Sequence, residues 1–234
     1  MNGRVAIAVM AKSPRPGRTK TRLCPPLSPE QAAVMAAAFL RDVTENVARA
    51  GAVVPIDGWV AYAPAGDEAL FDGRLAPGTR LLLADGGGED EGGVTGFGRC
   101  LLQAVRQLLD MGYVAACVLN ADSPTLPTEH LVRLASHLLA GQSAVLGAAE
   151  DGGYYVLGAR EPYPRLFADI LWSSDRVAAQ TRERAVELGL TLTELPTWYD
   201  VDDSAAWLRL LSELAADPDV AMATRSAVAR LGNA

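Results

Sequence analysis

The chain has 234 residues, half of them hydrophobic, with 28 acidic and 21 basic side chains for a formal charge of −7, three cysteines and two histidines. That length suits one globular domain, residues 1–234, with ample chain for a packed core, and the hydrophobic content excludes a disordered chain. No apolar run approaches the roughly 20 residues that span a bilayer, Val5–Ala11 is too short for a leader, two histidines exclude a His-rich zinc site, and an odd, widely spaced set of cysteines (Cys24, Cys100, Cys117) fits reduced thiols in a cytoplasm.

Val5–Met10 reads as a strand buried on both faces. Ser13-Pro14-Arg15-Pro16-Gly17 then turns the chain, so the cations that follow leave the C-terminal end of that strand. Residues 1–24 hold six bases (Arg4, Lys12, Arg15, Arg18, Lys20, Arg22) and no acid, leaving 15 bases against 28 acids in the other 210 residues. Lys12 and Lys20 are the only lysines, against nineteen arginines, and an ammonium is a point charge suited to phosphate. Prolines and a glycine fixing a loop from which five cations project would meet a polyphosphate with charge already in place. The plain alternative is a solvated basic loop. Gly17-x-x-Lys20-Thr21 lacks the upstream glycine and the Gly-Lys pair of a P-loop, which argues against ATPase-type chemistry, and the acidic remainder argues against nucleic-acid binding.

Further along, Ser28-Pro29-Glu30-Gln31 predicts a helix with Ser28 as N-cap, Pro29 in the first turn and Gln31 closing a capping box, running to about Ala50. Strands fit Trp59–Ala63 and Arg80–Ala84, and Asp85–Gly93, with five glycines and four acids, reads as a surface loop. A helix lies within Gly96–Met111, a buried strand over Tyr113–Leu119, and a helix capped by Thr128 continues to about Ala140. Strands at Ala144–Leu146 and Tyr154–Leu157, a helix near Ser174–Leu188, a strand at Leu190–Leu195 and two helices complete the chain. Strand and helix alternate throughout, which predicts an α/β fold with a mostly parallel central sheet and helices on both faces. Ligands bind such sheets beyond the carboxyl ends of the strands.

Three further motifs sit at such ends. In Asn120-Ala121-Asp122-Ser123-Pro124 a carboxylate follows a buried strand and could bind a divalent cation, or the segment could be a simple turn into the next helix. In Glu150-Asp151-Gly152-Gly153-Tyr154-Tyr155 the glycines would admit a ligand backbone-close and the tyrosines would line an acceptor pocket, or Asp-Gly-Gly is a hairpin turn followed by strand aromatics. In Tyr199-Asp200-Val201-Asp202-Asp203, alternation points Asp200 and Asp202 to one side, where one or both could complete a metal shell opened by Asp122, while Asp203 or Ser204 caps the next helix. A Ser-His-Asp hydrolase is discounted, because His130 and His137 share one predicted helix and no Gly-x-Ser-x-Gly elbow is present.

Ala11-Lys12-Ser13-Pro14, Gly17, Lys20-Thr21-Arg22-Leu23, Ala121-Asp122-Ser123-Pro124, Asp151-Gly152-Gly153-Tyr154-Tyr155, Leu166-Phe167 with Trp172-Ser173, and Asp200-Val201-Asp202, in this order, resemble the bacterial radical-SAM/selenodomain-associated, glycosyltransferase-like family. That resemblance covers nearly the whole chain and implies the GT-A, nucleotide-diphospho-sugar transferase fold. More distantly the order is similar to nucleotidyltransferases acting on molybdopterin or phospholactate. The resemblance implies catalytic roles for Lys12, Lys20, Arg22 and Asp122, nucleotide contacts from Ala11, Lys12, Arg18, Lys20, Arg22 and Asp151–Tyr154, and Mg²⁺ or Mn²⁺ on Asp122 and Asp202. It implies a nucleoside triphosphate or nucleotide sugar with a small-molecule acceptor, and neither nucleic acid nor membrane as partner. The density of loop cations favours nucleotidyl transfer with pyrophosphate release over glycosyl transfer from a nucleotide-diphospho-sugar, with a non-catalytic nucleotide-binding protein as a third reading. The chain departs from the pattern at Asn120-Ala121, in the acidic glycine loop before Gly96, and at Asp203.

Overall fold

The computed structural model describes residues 3–87 and 92–231. Seven strands, β1 (Val5–Lys12), β2 (Ile56–Ala63), β3 (Arg80–Leu83), β4 (Ala115–Asn120), β5 (Ala144–Ala149), β6 (Tyr154–Ala159) and β7 (Leu192–Trp198), form one sheet in the order β3-β2-β1-β4-β6-β5-β7. Every pairing is parallel except those of β6, which runs antiparallel to β4 and β5. The helices are α1 (Pro29–Gly51), α2 (Phe97–Asp110), α3 (Thr128–Leu139), α4 (Val177–Glu187), α5 (Ser204–Ala216) and α6 (Met222–Leu231). No helix among the described residues is long and apolar enough to cross a membrane.

The alternation within β1 shows why helices cover both faces. Val5, Ile7 and Val9 join Leu40, Val43 and Val47 of α1 and Leu131, Leu134 and Leu138 of α3 in one core layer. Ala6 and Ala8 join Leu101, Val105 and Leu108 of α2 and Ala178 and Ala185 of α4 in the other. A third cluster packs the outer side of α1, Met35 and Phe39, on Trp207 and Leu210 of α5 and Ala227 of α6. The expected α/β architecture is therefore present, with α1 buried between the sheet and the C-terminal helix pair.

Local signals held where the chain satisfies its own backbone. Gln31 N donates to Ser28 Oγ at 3.2 Å and Ser28 N to Gln31 Oε1 at 2.8 Å, closing the capping box. Asp203 caps α5, accepting from Ala206 N at 2.8 Å. Thr128 does not cap α3: it is the first helical residue, and its hydroxyl donates instead to Asn46 Oδ1 at 2.6 Å, tying α3 to α1. The Asp-Gly-Gly segment joins two antiparallel neighbours, so the hairpin reading of it is correct. Most of the acidic centre of the Asp85–Gly93 loop lies outside the described residues.

From β1 the chain builds outward through β2 and β3 and then returns to place β4 on the other side of β1. This reversal opens a crevice at the carboxyl ends of β1 and β4. The register sets Met10 beside Asn120, so Lys12 and Asp122 leave the sheet at the same place.

Candidate active site

The loop after β1 is anchored before it reaches the crevice. Ser13 Oγ donates to Asp67 Oδ2 at 2.6 Å, and the Arg15 guanidinium pairs with the same buried carboxylate, which these two contacts hold below its ordinary range. Arg15 is thus a fastener of the loop rather than a free cation. Asp67 was not among the expected functional residues; in the sequence it is only one acid of the Asp67-Glu68 pair in the connection between β2 and β3. Arg4 lies at the opposite end of β1, paired with Asp57 at 2.6 Å, and takes no part in the crevice.

Lys20 also departs from expectation. It does not project toward solvent as a phosphate ligand; its ammonium is turned inward, 2.6 Å from Asp122 Oδ1, 2.6 Å from Asp202 Oδ1 and 2.8 Å from the Val201 carbonyl oxygen. Burial opposes its charge, but the two carboxylates outweigh that and its pKa is raised, so it is fully protonated at neutral pH. Three expected cations remain: Lys12, Arg18 and Arg22 are exposed and make no salt bridge among the described residues.

These three cations line a cleft of about 430 Å³ together with Asp122 and Asp202. Its floor is made of small residues at strand ends, Ala11, Ala61, Ala63 and Ala84, and Phe97 stands half-exposed at one wall. Small side chains at the ends of adjacent strands leave room for a flat group laid against the sheet, next to the positive charge. The buried Thr19 hydroxyl, on the loop that lines this cleft, has no hydrogen-bond partner among the described residues.

Asp122 and Asp202 meet although β4 and β7 are separated by two strands. The segment after β7 crosses back over the sheet and is stitched to the residues after β4: Val201 N donates to Asp122 O at 2.8 Å and Ser123 Oγ to Tyr199 O at 2.8 Å. Val201 is fully buried and Asp202 lines the cleft, with Asp200 close enough to feel the Asp202 and Asp122 charges. Burial pushes the Asp122 carboxyl up, against the pull of Lys20. Burial, with Asp202, Asp151 and Asp122 adding to it, raises Asp200 to about 7.

A carboxyl that ionises harder in the folded chain than in the unfolded one withdraws stability as pH rises from its unfolded value near 4 to its folded value near 7. Asp200→Asn removes that loss. The variant is expected to be more stable than the parent by up to about 4 kcal/mol well above neutrality and to equal it below pH 4, read from urea unfolding across pH. A constant difference at all pH values would refute it.

The Asp151–Tyr154 group is placed differently from the expectation that it touches a nucleotide. None of its residues lines the cleft. Gly152 has φ +89° and lies so close to the 175 backbone that a Cβ would fall 2.0 Å from Asp175 O, while its own carbonyl accepts from Ala178 N at 2.9 Å. The close approach is to the protein's own chain. Asp151 accepts from Gly153 N at 2.8 Å, and its charge adds to the rise of Asp200. Tyr154 packs edge-on to Trp172, and Tyr155 is completely buried, donating to Pro196 O at 2.9 Å, so the aromatics belong to the core.

No curated protein matches the chain. Among solved structures, a proposed nucleotide-diphospho-sugar transferase from Desulfovibrio desulfuricans G20 is 26% identical, covers 97% of this chain and 94% of its own, and superposes with a TM-score of 0.81. A nucleotidyl transferase from Methanothermobacter thermautotroptrophicus is 17% identical over 92% of this chain and 100% of its own, with a TM-score of 0.56. Glucosyl-3-phosphoglycerate synthase from Mycobacterium tuberculosis, solved with Mn²⁺, UDP and glucosyl-3-phosphoglycerate, is 12% identical over 91% of this chain and 77% of its own, with a TM-score of 0.52. The last two share the fold with this chain, and the first shares it along almost its full length. A family model matches residues 46–174, more than half of the chain, which is therefore a member of DUF2064, a family described as uncharacterized proteins conserved in bacteria.

Proposed function

We propose that this protein is a nucleotide-utilising transferase, and that it joins a nucleoside triphosphate to a phosphorylated small-molecule acceptor with release of pyrophosphate. The observation that supports this reading most is the cleft itself: three exposed cations, Lys12, Arg18 and Arg22, that form no salt bridge among the described residues, beside two carboxylates at the switch point of the sheet. Lys12 and the two arginines hold the phosphate oxygens and stabilise the charge that develops on the departing pyrophosphate. Ala11 and the alanine floor leave space for the nucleoside.

Asp122 and Asp202 offer hard oxygen donors, two carboxylates on the single ammonium of Lys20. That surplus fits Mg²⁺ or Mn²⁺ by donor chemistry. Asp122 and Asp202 would hold the ion, and when bound it supplies Lewis-acid polarisation of phosphate oxygens.

Glycosyl transfer from a nucleotide-diphospho-sugar is the second reading, favoured by the similarity to the Desulfovibrio protein. The two differ in what leaves. With the purified chain, a divalent cation and a panel of nucleotides and acceptors, the first reading expects pyrophosphate as product. Release of a nucleoside diphosphate transfers the assignment to a glycosyltransferase. Absence of any nucleotide-induced rise in Tm across the whole panel rejects both.

A further inference from the structure

Lys20 alone among the cleft cations is buried, its side chain 5% exposed, and all its donors are taken. An ammonium has three N–H groups, and Asp122, Asp202 and the Val201 carbonyl accept all of them, so none is left for a phosphate. The Phe39 ring lies 5.5 Å from the ammonium and completes its surroundings. The Lys20 backbone sits in the left-handed region, φ 51° and ψ 36°, a conformation unfavourable for lysine and tolerated only where neighbouring contacts enforce it. Both carboxylates are much more exposed than the lysine between them, at 36% and 42%.

We propose that Lys20 is the resting counter-ion of the Asp122–Asp202 pair and competes with a divalent cation for it, so that cation uptake and release of Lys20 form one coupled event. This rests on the reading of Asp122 and Asp202 as the cation's ligands. A cation held by either oxygen of these carboxylates stands close to the Lys20 ammonium, and like charges at such range repel strongly in a partly buried site. Each occupant therefore weakens the other. Once displaced, Lys20 regains three donors at the edge of the phosphate-binding cleft, and a phosphate that takes them draws the equilibrium further toward the cation. By linkage, polyphosphate and cation then strengthen each other's binding by the same factor. The lysine would serve two anions in turn, its own carboxylates at rest and the ligand's phosphate when the cation is present.

The test uses the full chain without nucleotide. Mn²⁺ affinity, read by electron paramagnetic resonance, is expected to rise about tenfold in Lys20→Met, to stay near the parent value in Lys20→Arg, and to lose the gain in the Lys20→Met/Asp122→Asn double variant. A Lys20→Met affinity equal to or below that of the parent overturns the proposal. Should that variant fail to fold, the parent decides. With only two lysines in the chain, ¹⁵N-lysine labelling gives a protected Nζ–H signal for Lys20 and none for exposed Lys12. Mg²⁺ is expected to abolish that protection progressively, and a signal that persists unchanged through the titration overturns the proposal. Because neither readout involves nucleotide or turnover, a gain of Mn²⁺ affinity in Lys20→Met stands even if the product assay rejects a transferase.

Discussion

Asp122→Asn is expected to lower turnover about a thousandfold, equivalent to about 4 kcal/mol of transition-state stabilisation, while the protein stays folded. The size follows from position. Asp122 stands where β4 meets the cleft, one oxygen on Lys20 and a third of its side-chain surface open to the space that Lys12, Arg18 and Arg22 line. An amide keeps the shape and the turn but removes the negative charge that a divalent cation requires. Folding survives because Lys20 keeps Asp202 and the Val201 carbonyl, so its charge is not left bare. Steady-state kinetics with cation in excess, alongside thermal unfolding, checks both halves. Full activity in Asp122→Asn would reject this residue as a ligand, and a collapse of Tm would mean that its main task is to neutralise Lys20.

The second large effect is on stability. Gly152→Ala is expected to cost about 3 kcal/mol, a fall in Tm of roughly 6–12 °C, with the nucleotide affinity of the folded fraction unchanged. Two terms combine: a left-handed backbone that a side chain disfavours, and a Cβ 2.0 Å from a carbonyl oxygen of the main chain, which cannot rotate away. Gly66→Ala is the control, because its φ is +90° but nothing lies within 4 Å of the added carbon, so only the conformational term of about 1 kcal/mol applies. Equal losses in the two variants would dismiss the role of Asp175. A loss of nucleotide affinity with normal Tm would restore Gly152 to the ligand.

The contrast between Gly152 and Asp122 also shows what the sequence could convey. Val5–Met10, the Ser28–Gln31 capping box and the Asp203 cap were legible because each is a local pattern whose partners lie within a few residues. The place of Asp122 at the cleft was legible because it directly follows a buried strand, at the carboxyl end of the sheet. The fate of the cations was not. Arg4, Arg15 and Lys20 differ from Lys12, Arg18 and Arg22 only in having met Asp57, Asp67 and the Asp122–Asp202 pair, acids more than 50 residues or even 180 residues away. Charge counted along the chain registers how many cations a loop holds, and only the fold decides which of them are spent. The same holds for Tyr155, whose alternation promised an exposed aromatic pocket as readily as the core position it occupies. The antiparallel course of β6 was legible only through the Asp-Gly-Gly hairpin signal, since period-two alternation is blind to direction.

The return of residues 199–202 across the sheet bears on how the chain comes to life. A nascent chain that has emerged only as far as α4 already contains every cation of the cleft and Asp122, but lacks Asp202 and the Val201 carbonyl. At that stage Lys20 has one acid to hold and no backbone to lock it. The segment that completes the site pairs with positions about eighty residues earlier, a contact of high sequence separation that forms late relative to local hairpins and helices. Under the proposed function, a chain is therefore complete at its site only once the segment after β7 has returned across the sheet.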